Sequence, residues 1–338
     1  MIRSIELSGL WVLVFGACCF ACTCSPEAEL QQVLGISAQA PVFLGCKALS
    51  PTEIVFHFSA SVKAASVYFD PPLDIVSVED GSTVRVTLGR AAGDGEKITA
   101  DLLVEDGRKN TLNVLVSLRT RNPRLPALLL TEVRAEHRNP RLEFVEIKTL
   151  APGNLGALRL FAAVAGLAEP LFEFPPVEAG AGEYIVIHLR TPDAGSVDET
   201  GDDLNASQGS ESIPEVRDFW IPLSAERLRN TDAVFFMDQD DQIADAVMFS
   251  ETPGESWAKE GLLRAAELLG RRGAWLAGVP EAVPGPGDAV NSGAATPVRT
   301  ICRDEASADT NSAADWYIAA SGTPGKRNNA DRYAPKQR

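Results

Sequence analysis

Between residues 52 and 120 the chain repeats one pattern: a short run in which side chains alternate in polarity, then a cluster of turn-forming residues. "TEIVFHFS" (52–59) sets Ile54, Phe56 and Phe58 on one side and Val55 and His57 on the other. "STVRVTLG" (82–89) does the same with Val84, Val86 and Leu88. A period of two is the period of a strand, because successive side chains leave the backbone on opposite faces. "ASVYFD" (65–70), "LDIVSVED" (73–80), "KITADLLVED" (97–106) and "NTLNVLVSLRT" (110–120) continue the series. "EDGS" (79–82), "GDGE" (93–96) and "EDGRKN" (105–110) punctuate it with the residues that tight turns require. Strands this short and this close together predict a β-sandwich over 41–122. His57, between two phenylalanines, reads as a face residue rather than a ligand.

At 338 residues the chain has room for a second domain. "RTRNPRLPA" (119–127) closes the first, and Pro123 and Pro126 predict an extended, stiff linker. The second domain is expected over 126–329, with a flexible tail at 330–338. Its opening stretch, "LLLTEVRAEHRNPRLEFVEIKT" (128–149), reads as two strands joined by a polar segment carrying Glu136, His137, Arg138 and Arg141. Glu143 and Glu146 fall within the second strand. Three residues apart, they face opposite sides and cannot form the convergent carboxylate pair that acid–base catalysis needs.

Further on, "EYIVIHL" (183–189) is apolar on both faces and reads as a central strand. "DAVFFM" (232–237) and "IADAVMF" (243–249) flank "DQDDQ", a hairpin with a polar turn. "TPGESWAKEGLLRAAELLGRR" (252–272) reads as a helix. Thr252 is its expected cap, Pro253 its first residue and Glu255 the capping-box partner. Leu262, Ala265, Ala266 and Leu269 form its apolar stripe, and Gly270 and Gly273 its end. "GVPEAVPGPGDAVNSG" (278–293) reads as an irregular loop.

Two family resemblances follow from these segments. "LSPTEIVFHFSASVKAASVYF" (49–69) resembles bacterial immunoglobulin-like modules. The second domain resembles the lamin-tail family, an immunoglobulin-like sandwich. Glu143, Phe144 and Glu146 match that family's second strand, and Arg303, Asp315, Trp316, Thr323, Pro324, Gly325 and Asn328 match its closing segment. The Gly-Trp that the family carries near 154–162 is absent, and Ala181 replaces a proline. The resemblance implies an all-β chain of two tandem immunoglobulin-like sandwiches, with a short helical insertion in the second. Segments 191–218 and 251–297 are insertions relative to a compact member.

The formal charge is −15. Asp193, Asp198, Glu199, Asp202, Asp203, Glu211, Glu215 and Asp218 crowd one insertion against a single base, Arg217. Such a chain is repelled by phosphate backbones, which argues against nucleic acid as a partner. Acidic clusters invite a calcium reading. Asp238, Asp240 and Asp241 are one candidate set, and Asp198, Glu199, Asp202 and Asp203 another, each weighed against a solvated turn or a charged disordered loop. The hairpin lacks the glycine and terminal glutamate of an EF-hand. His57, His137 and His188 are scattered, with no zinc spacing, and no nucleophile elbow, P-loop or dinucleotide loop is present. No other cofactor is expected.

The N-terminus, "MIRSIELSGLWVLVFGACCFACTC", has an apolar stretch from Leu7 to Ala17. This is short of the ~20 residues of a membrane span and suits a secretion signal. Gly16-Ala17-Cys18 resembles the bacterial lipobox, with Phe15 where leucine is usual, a permissive form that spirochaete lipoproteins carry. The resemblance implies a signal peptide at 1–17, lipidation of Cys18 with Cys19 or Cys22 as fallback, and a stalk at 18–40. Cys46 and Cys302 are expected to be unpaired. The sum is a lipid-anchored, non-catalytic envelope protein on the outer membrane or cell surface. It would act by binding, adhesion or scaffolding toward a protein or envelope ligand. The alternatives are a calcium-dependent hydrolase or carbohydrate-acting protein, and a purely structural periplasmic lipoprotein.

Overall fold

The computed structural model describes residues 40–222, 228–254, 256–306, 308–328 and 331–335. Cys18, the stalk before residue 40 and Glu255 lie outside them. The described chain is largely β, with several sheets and one α-helix.

Six strands make the first sheet: β1 (Phe43–Ser50), β2 (Glu53–Asp70), β3 (Ile75–Glu79), β4 (Gly81–Leu88), β5 (Lys97–Asp106) and β6 (Thr111–Arg119). The order is β3-β4-β2-β5-β6, with β1 also on β2. The runs at 52–59 and 65–70, expected as two strands, are one strand of 18 residues. "ASVKA" between them holds no Gly, Pro, Asn or Asp to turn the chain. Register shifts between His57 and Val62, and between Ala64 and Ser66, change which residues face inward without breaking the strand. Its first half pairs with β1 and β4 and its second half with β5. β1 was not anticipated: Gly45, at φ +148°, sits at a register shift that interrupts its alternation. Ile54, Phe56, Phe58, Val84, Val86 and Leu88 enter the core as expected. His57 is exposed and bonds Thr83 Oγ1 at 3.1 Å.

The remaining strands are β7 (Leu128–Arg134), β8 (Phe144–Thr149), β9 (Gly153–Asn154), β10 (Arg159–Ala162), β11 (Phe172–Glu173), β12 (Glu178–Ala179), β13 (Tyr184–His188), β14 (Arg217–Trp220), β15 (Asp232–Met237), β16 (Ile243–Ser250), β17 (Val290–Asn291), β18 (Ile301–Arg303) and β19 (Trp316–Ile318). One sheet runs β11-β10-β15-β16-β17 and another β14-β13-β8-β7-β18-β19. Side chains from both, including Leu130, Val145, Ile147, Ile185, Ile187, Phe235 and Phe249, share one buried apolar cluster. That cluster is separate from the first sheet's core.

Both insertions differ from expectation. The helix, α1, spans Glu260–Arg271 and begins after Lys259, so Thr252 and Pro253 lie outside it. Ser250 Oγ instead donates to the Thr252 carbonyl at 2.8 Å. The stripe Leu262, Ala265, Ala266 and Leu269 is buried in the main core as the spacing requires. Gly273, at φ +67°, follows the helix end. The loop at 278–293 contains a 3-10 turn (Pro286–Asp288) and β17, which joins β16 in parallel.

The acidic segment 191–218 is ordered by its own carboxylates. Asp193 accepts from the backbone N–H of Gly195 (3.0 Å) and Ser210 (2.9 Å). Asp198 accepts from that of Trp220 (2.7 Å), and Glu199 from those of Ser207 (3.0 Å) and Asp218 (2.9 Å). The segment thereby delivers β14 alongside β13. β13 is the central strand that its two apolar faces predicted.

Candidate functional site

Of the residues that resemble the lamin-tail signature, Arg303 and Trp316 face the core from the second of these sheets, while Glu146 stands on its outer face. Cross-strand partners share a face, so the pairings Val186–Glu146, Glu146–Glu132, Glu132–Cys302 and Cys302–Tyr317 trace one row across it. The row is buried because the closing segment covers it. Thr323 N–H donates to both oxygens of Glu132 (3.1 Å each), and Gly325 N–H to Glu146 Oε2 (2.5 Å). Thr131 Oγ1 donates to Glu146 Oε1 (2.6 Å). Asn328 Nδ2 donates to the carbonyls of Thr131 and Arg303, 2.8 Å each. Thr323–Lys326 is a turn closed at 3.3 Å, with Pro324 second and Gly325 third at φ +83°.

Arg303 is the hub beneath. Its Nε donates to the Leu130 carbonyl (2.7 Å), Nη1 to Asp309 (2.9 Å) and Nη2 to both oxygens of Asp245 (2.9 and 2.7 Å), while its plane lies over Trp316. Asp315 accepts from the N–H and hydroxyl of Thr310, 2.8 Å each. The other two signature residues stand apart. Phe144 packs with Val186 and Val216 under Arg134, and Glu143, just before β8, is clamped by Arg190. Glu143 lies before β8 rather than on it and turns to Arg190, and the reading that set it on the strand against Glu146 missed the carboxylate that does meet Glu146. That carboxylate is Glu132, fourteen residues earlier in the chain.

At one end of this core the chain connections surround a cleft of about 800 Å³. Two of the residues crowding the joint of the opening stretch, Glu136 and His137, line it. Arg138 and Arg141 instead close their own turn through backbone bonds of 2.9 and 2.8 Å, with both residues exposed. Arg190 holds Glu143 through two 2.7 Å bonds, with His137 Nδ1 at 3.9 Å. Asn230 Nδ2 donates to Glu136 and, at 3.2 Å, to Glu251. Leu228, Trp257, Leu262 and Pro253 supply an apolar wall. Trp257 is fixed by its Nε1 bond to the Pro284 carbonyl (2.7 Å). Below, Asp232 accepts the N–H groups of Val164, Ala233 and Arg229, and burial pushes its carboxyl up to about 7.

Residues 126–318, more than half of the chain, match the family described as TP_1001_2nd, protein second domain. The chain belongs to the TP_1001 second-domain family. The matched span holds β7 through β19 and every lining residue of the cleft, and it ends before the Thr323–Lys326 turn. A Treponema pallidum (strain Nichols) protein, named only as uncharacterized, is 32% identical over 161 residues. That match covers 45% of this chain and 40% of the Treponema protein.

The opposite end of the TP_1001 second-domain region docks on the first sheet. Asp240 pairs with Lys47 (2.7 Å) and with Arg121. These bonds, Arg121's first, hold its carboxyl well below the usual range. Gln239 exchanges bonds with Asn122 N–H (2.8 Å) and the Thr120 carbonyl (2.7 Å). Arg124 bridges Asp94 (2.7 Å) and Glu178 (2.5 Å). Gly95 and Gly156 pack backbone on backbone: a Cβ on Gly95 would stand 2.4 Å from the Gly156 carbonyl carbon. The segment 119–124, expected as an extended, stiff linker, also carries the docking contacts of Arg121, Asn122 and Arg124. The candidate calcium set does not converge either. Asp240 faces Lys47 and Arg121, Asp241 faces Arg159 (2.7 Å), and Asp238 closes its own turn on Asp240 N–H (2.7 Å) and Gln242 N–H (2.9 Å). Among the described residues no group of three or more His, Cys, Asp or Glu is placed to hold a metal ion. Cys46 and Cys302 are free thiols.

Proposed function

We propose that this is a lipid-anchored, non-catalytic envelope protein that binds a partner in the cleft. In this reading Cys18 carries the anchor, and the chain is a tandem of two immunoglobulin-like sandwiches, the second of lamin-tail type. The observation that carries it is the placement of the cleft. β15 leaves the cleft at Asp232 and ends at Met237, beside the turn that docks on Lys47 and Arg121. Six strand residues separate the two ends by about 20 Å. The first sheet occupies one end of the second core and leaves the other to the connections. Clustered connections on a rigid scaffold are where recognition residues are placed, and an apolar wall beside a few fixed polar groups is the make-up of a binding site. The carboxylates of Glu143 and Glu136 there are held by Arg190 and Asn230. That favours recognition over the calcium-dependent hydrolase.

The test is a photo-crosslinking residue at Glu251 or Lys259, compared with one at Lys63 on the first sheet, in cells that make the protein. The reading expects a discrete adduct from the cleft positions alone. Equal adducts from all three, or none, overturn it. The anchor is tested separately, by whether Cys18→Ser abolishes metabolic palmitate labelling.

A further inference from the structure

Glu132 and Glu146 face each other across β7 and β8, both with no solvent exposure. Among the described residues, neither makes an ion pair with a lysine or arginine. Their donors are backbone N–H groups and threonine hydroxyls, with the Cys302 thiol bonded beside Glu132. The surroundings supply little positive charge. On β7 stands Arg134, whose Nη1 is committed to Glu211 and whose charge lowers the Glu132 carboxyl against the larger effect of burial. From β18 come Cys302, a thiol, and Arg303, committed to Asp245 and Asp309. From β19 comes Tyr317. On the β13 side are Val186 and a triad in which Glu305 takes Lys148 (2.7 Å) and Tyr184 (2.8 Å). Over the top, Gly325 presses on Ile213 and Val216.

Two carboxylates side by side in such a place cannot both be ionised at modest cost. We propose that Glu132 and Glu146 hold one proton between them at neutral pH, and that this proton is the catch keeping the closing segment 322–328 on the sheet. The N–H groups of Thr323 and Gly325 go to these two side chains, and beyond them the segment is held by Asn328 on the Thr131 and Arg303 carbonyls at its far end and by Gly322 N–H on the Val298 carbonyl at its start. Loss of the proton leaves two adjacent buried negative charges. The relief available is for the segment to lift and admit water. Burial first, then the Glu132 charge, raises the Glu146 carboxyl well above 4.5, and burial raises Glu132. A carboxyl with a raised folded pKa binds more protons folded than unfolded. Its contribution is complete below the unfolded value and is lost as pH rises through the folded one. The catch is therefore released by alkali and not by acid.

The test uses the full chain. The carboxyl carbons of both glutamates are followed by 13C NMR, and the exchange protection of the Gly325 amide is measured from about pH 5 to about pH 9, corrected for intrinsic exchange. The expected result is one carboxyl titrating far above the other. It is accompanied by a fall of about tenfold or more in Gly325 protection, the equivalent of one pKa unit. Glu146→Gln, which keeps the shape of the protonated form, is expected to hold its protection across the range. Two carboxyls both ionised at about pH 5, or an unchanged alkaline loss in Glu146→Gln, overturn the proposal. If that variant does not fold, the 13C titration of the unaltered chain decides alone.

Discussion

Replacing Arg303 by methionine probes the hub on which the closing elements converge. The side chain is buried, and its fork meets Leu130, Asp309 and Asp245 at 2.7 to 2.9 Å. Methionine fills much of the volume but strands the Asp245 carboxylate, itself buried. That carboxylate keeps only the backbone N–H groups of Leu130 (2.6 Å) and Ala246 (2.7 Å). Breaking a buried pair by removing one partner costs about 3–5 kcal/mol, a large part of a total stability of roughly 5–15 kcal/mol. The loss should depend on pH. Burial already pushes Asp245 up to about 6 against the pull of Arg303, and without the guanidinium it rises further. The stranded group can then take up a proton, so the measured cost shrinks at lower pH and grows at higher pH. Urea unfolding at several pH values reads this directly, and Arg303→Met with Asp245→Leu closes the double-mutant cycle. The double variant should be more stable than Arg303→Met alone, because no buried charge is left unpaired and Asp309, which also loses Arg303, is partly exposed. A cost under about 1 kcal/mol, the scale of an exposed pair, or two effects that simply add, would refute the reasoning.

Gly325→Ala places a methyl group 2.5 Å from Val216 Cγ2 at φ +83°. Strain of about 1–2 kcal/mol and overpacking of about 1–3 kcal/mol predict a loss near 3 kcal/mol by denaturant unfolding. Asp240→Ala should cost less than about 1 kcal/mol. It should nevertheless loosen the two cores relative to one another, seen as divergent rotational correlation times in 15N relaxation. Millimolar calcium should leave the melting temperature where it was, since Asp238, Asp240 and Asp241 are committed elsewhere; a clear upward shift would revive the calcium-dependent reading.

Much of the β framework was legible because alternation and turn residues are local signals. "STVRVTLG" and "EYIVIHL" each show their phase within one strand. The errors arise where a bulge re-phases the chain, as in β2, or where a strand sits in polar company, as β14 does after seven acids and with an eighth, Asp218, inside it. The helix stripe was readable and its start was not: Thr252 and Pro253 form a plausible cap, but Ser250 takes the Thr252 carbonyl and the helix waits for Lys259. At the site, Glu136 and His137 stand among the four polar residues at the joint of the opening stretch, but nothing in the sequence singles them out from Arg138 and Arg141. The cleft companions of Glu136 and His137, which are Arg190, Asn230, Glu251 and Trp257, come from three distant segments that only the fold brings together. Glu132 was hidden for a similar reason. A register shift between Leu130 and Glu132 turns it onto Glu146's face, and the cover that buries it is 191 residues away.

The acidity that first suggested a cation site has another explanation. Asp193, Asp198 and Glu199 spend their oxygens on backbone N–H groups of the same segment, and Asp218 takes His188 (2.8 Å) and Ile213 N–H (2.8 Å). A carboxylate is a good acceptor for amide donors that turn away from regular structure. A long insertion crossing a sheet edge must satisfy many such donors without a ladder. Much of the charge excess there is the means by which the segment folds. The cleft differs in kind. Its acids and bases come from separate connections, hold one another at its rim and leave a hollow between them. If the chain recognises anything, the chemistry on display there is what a partner would meet.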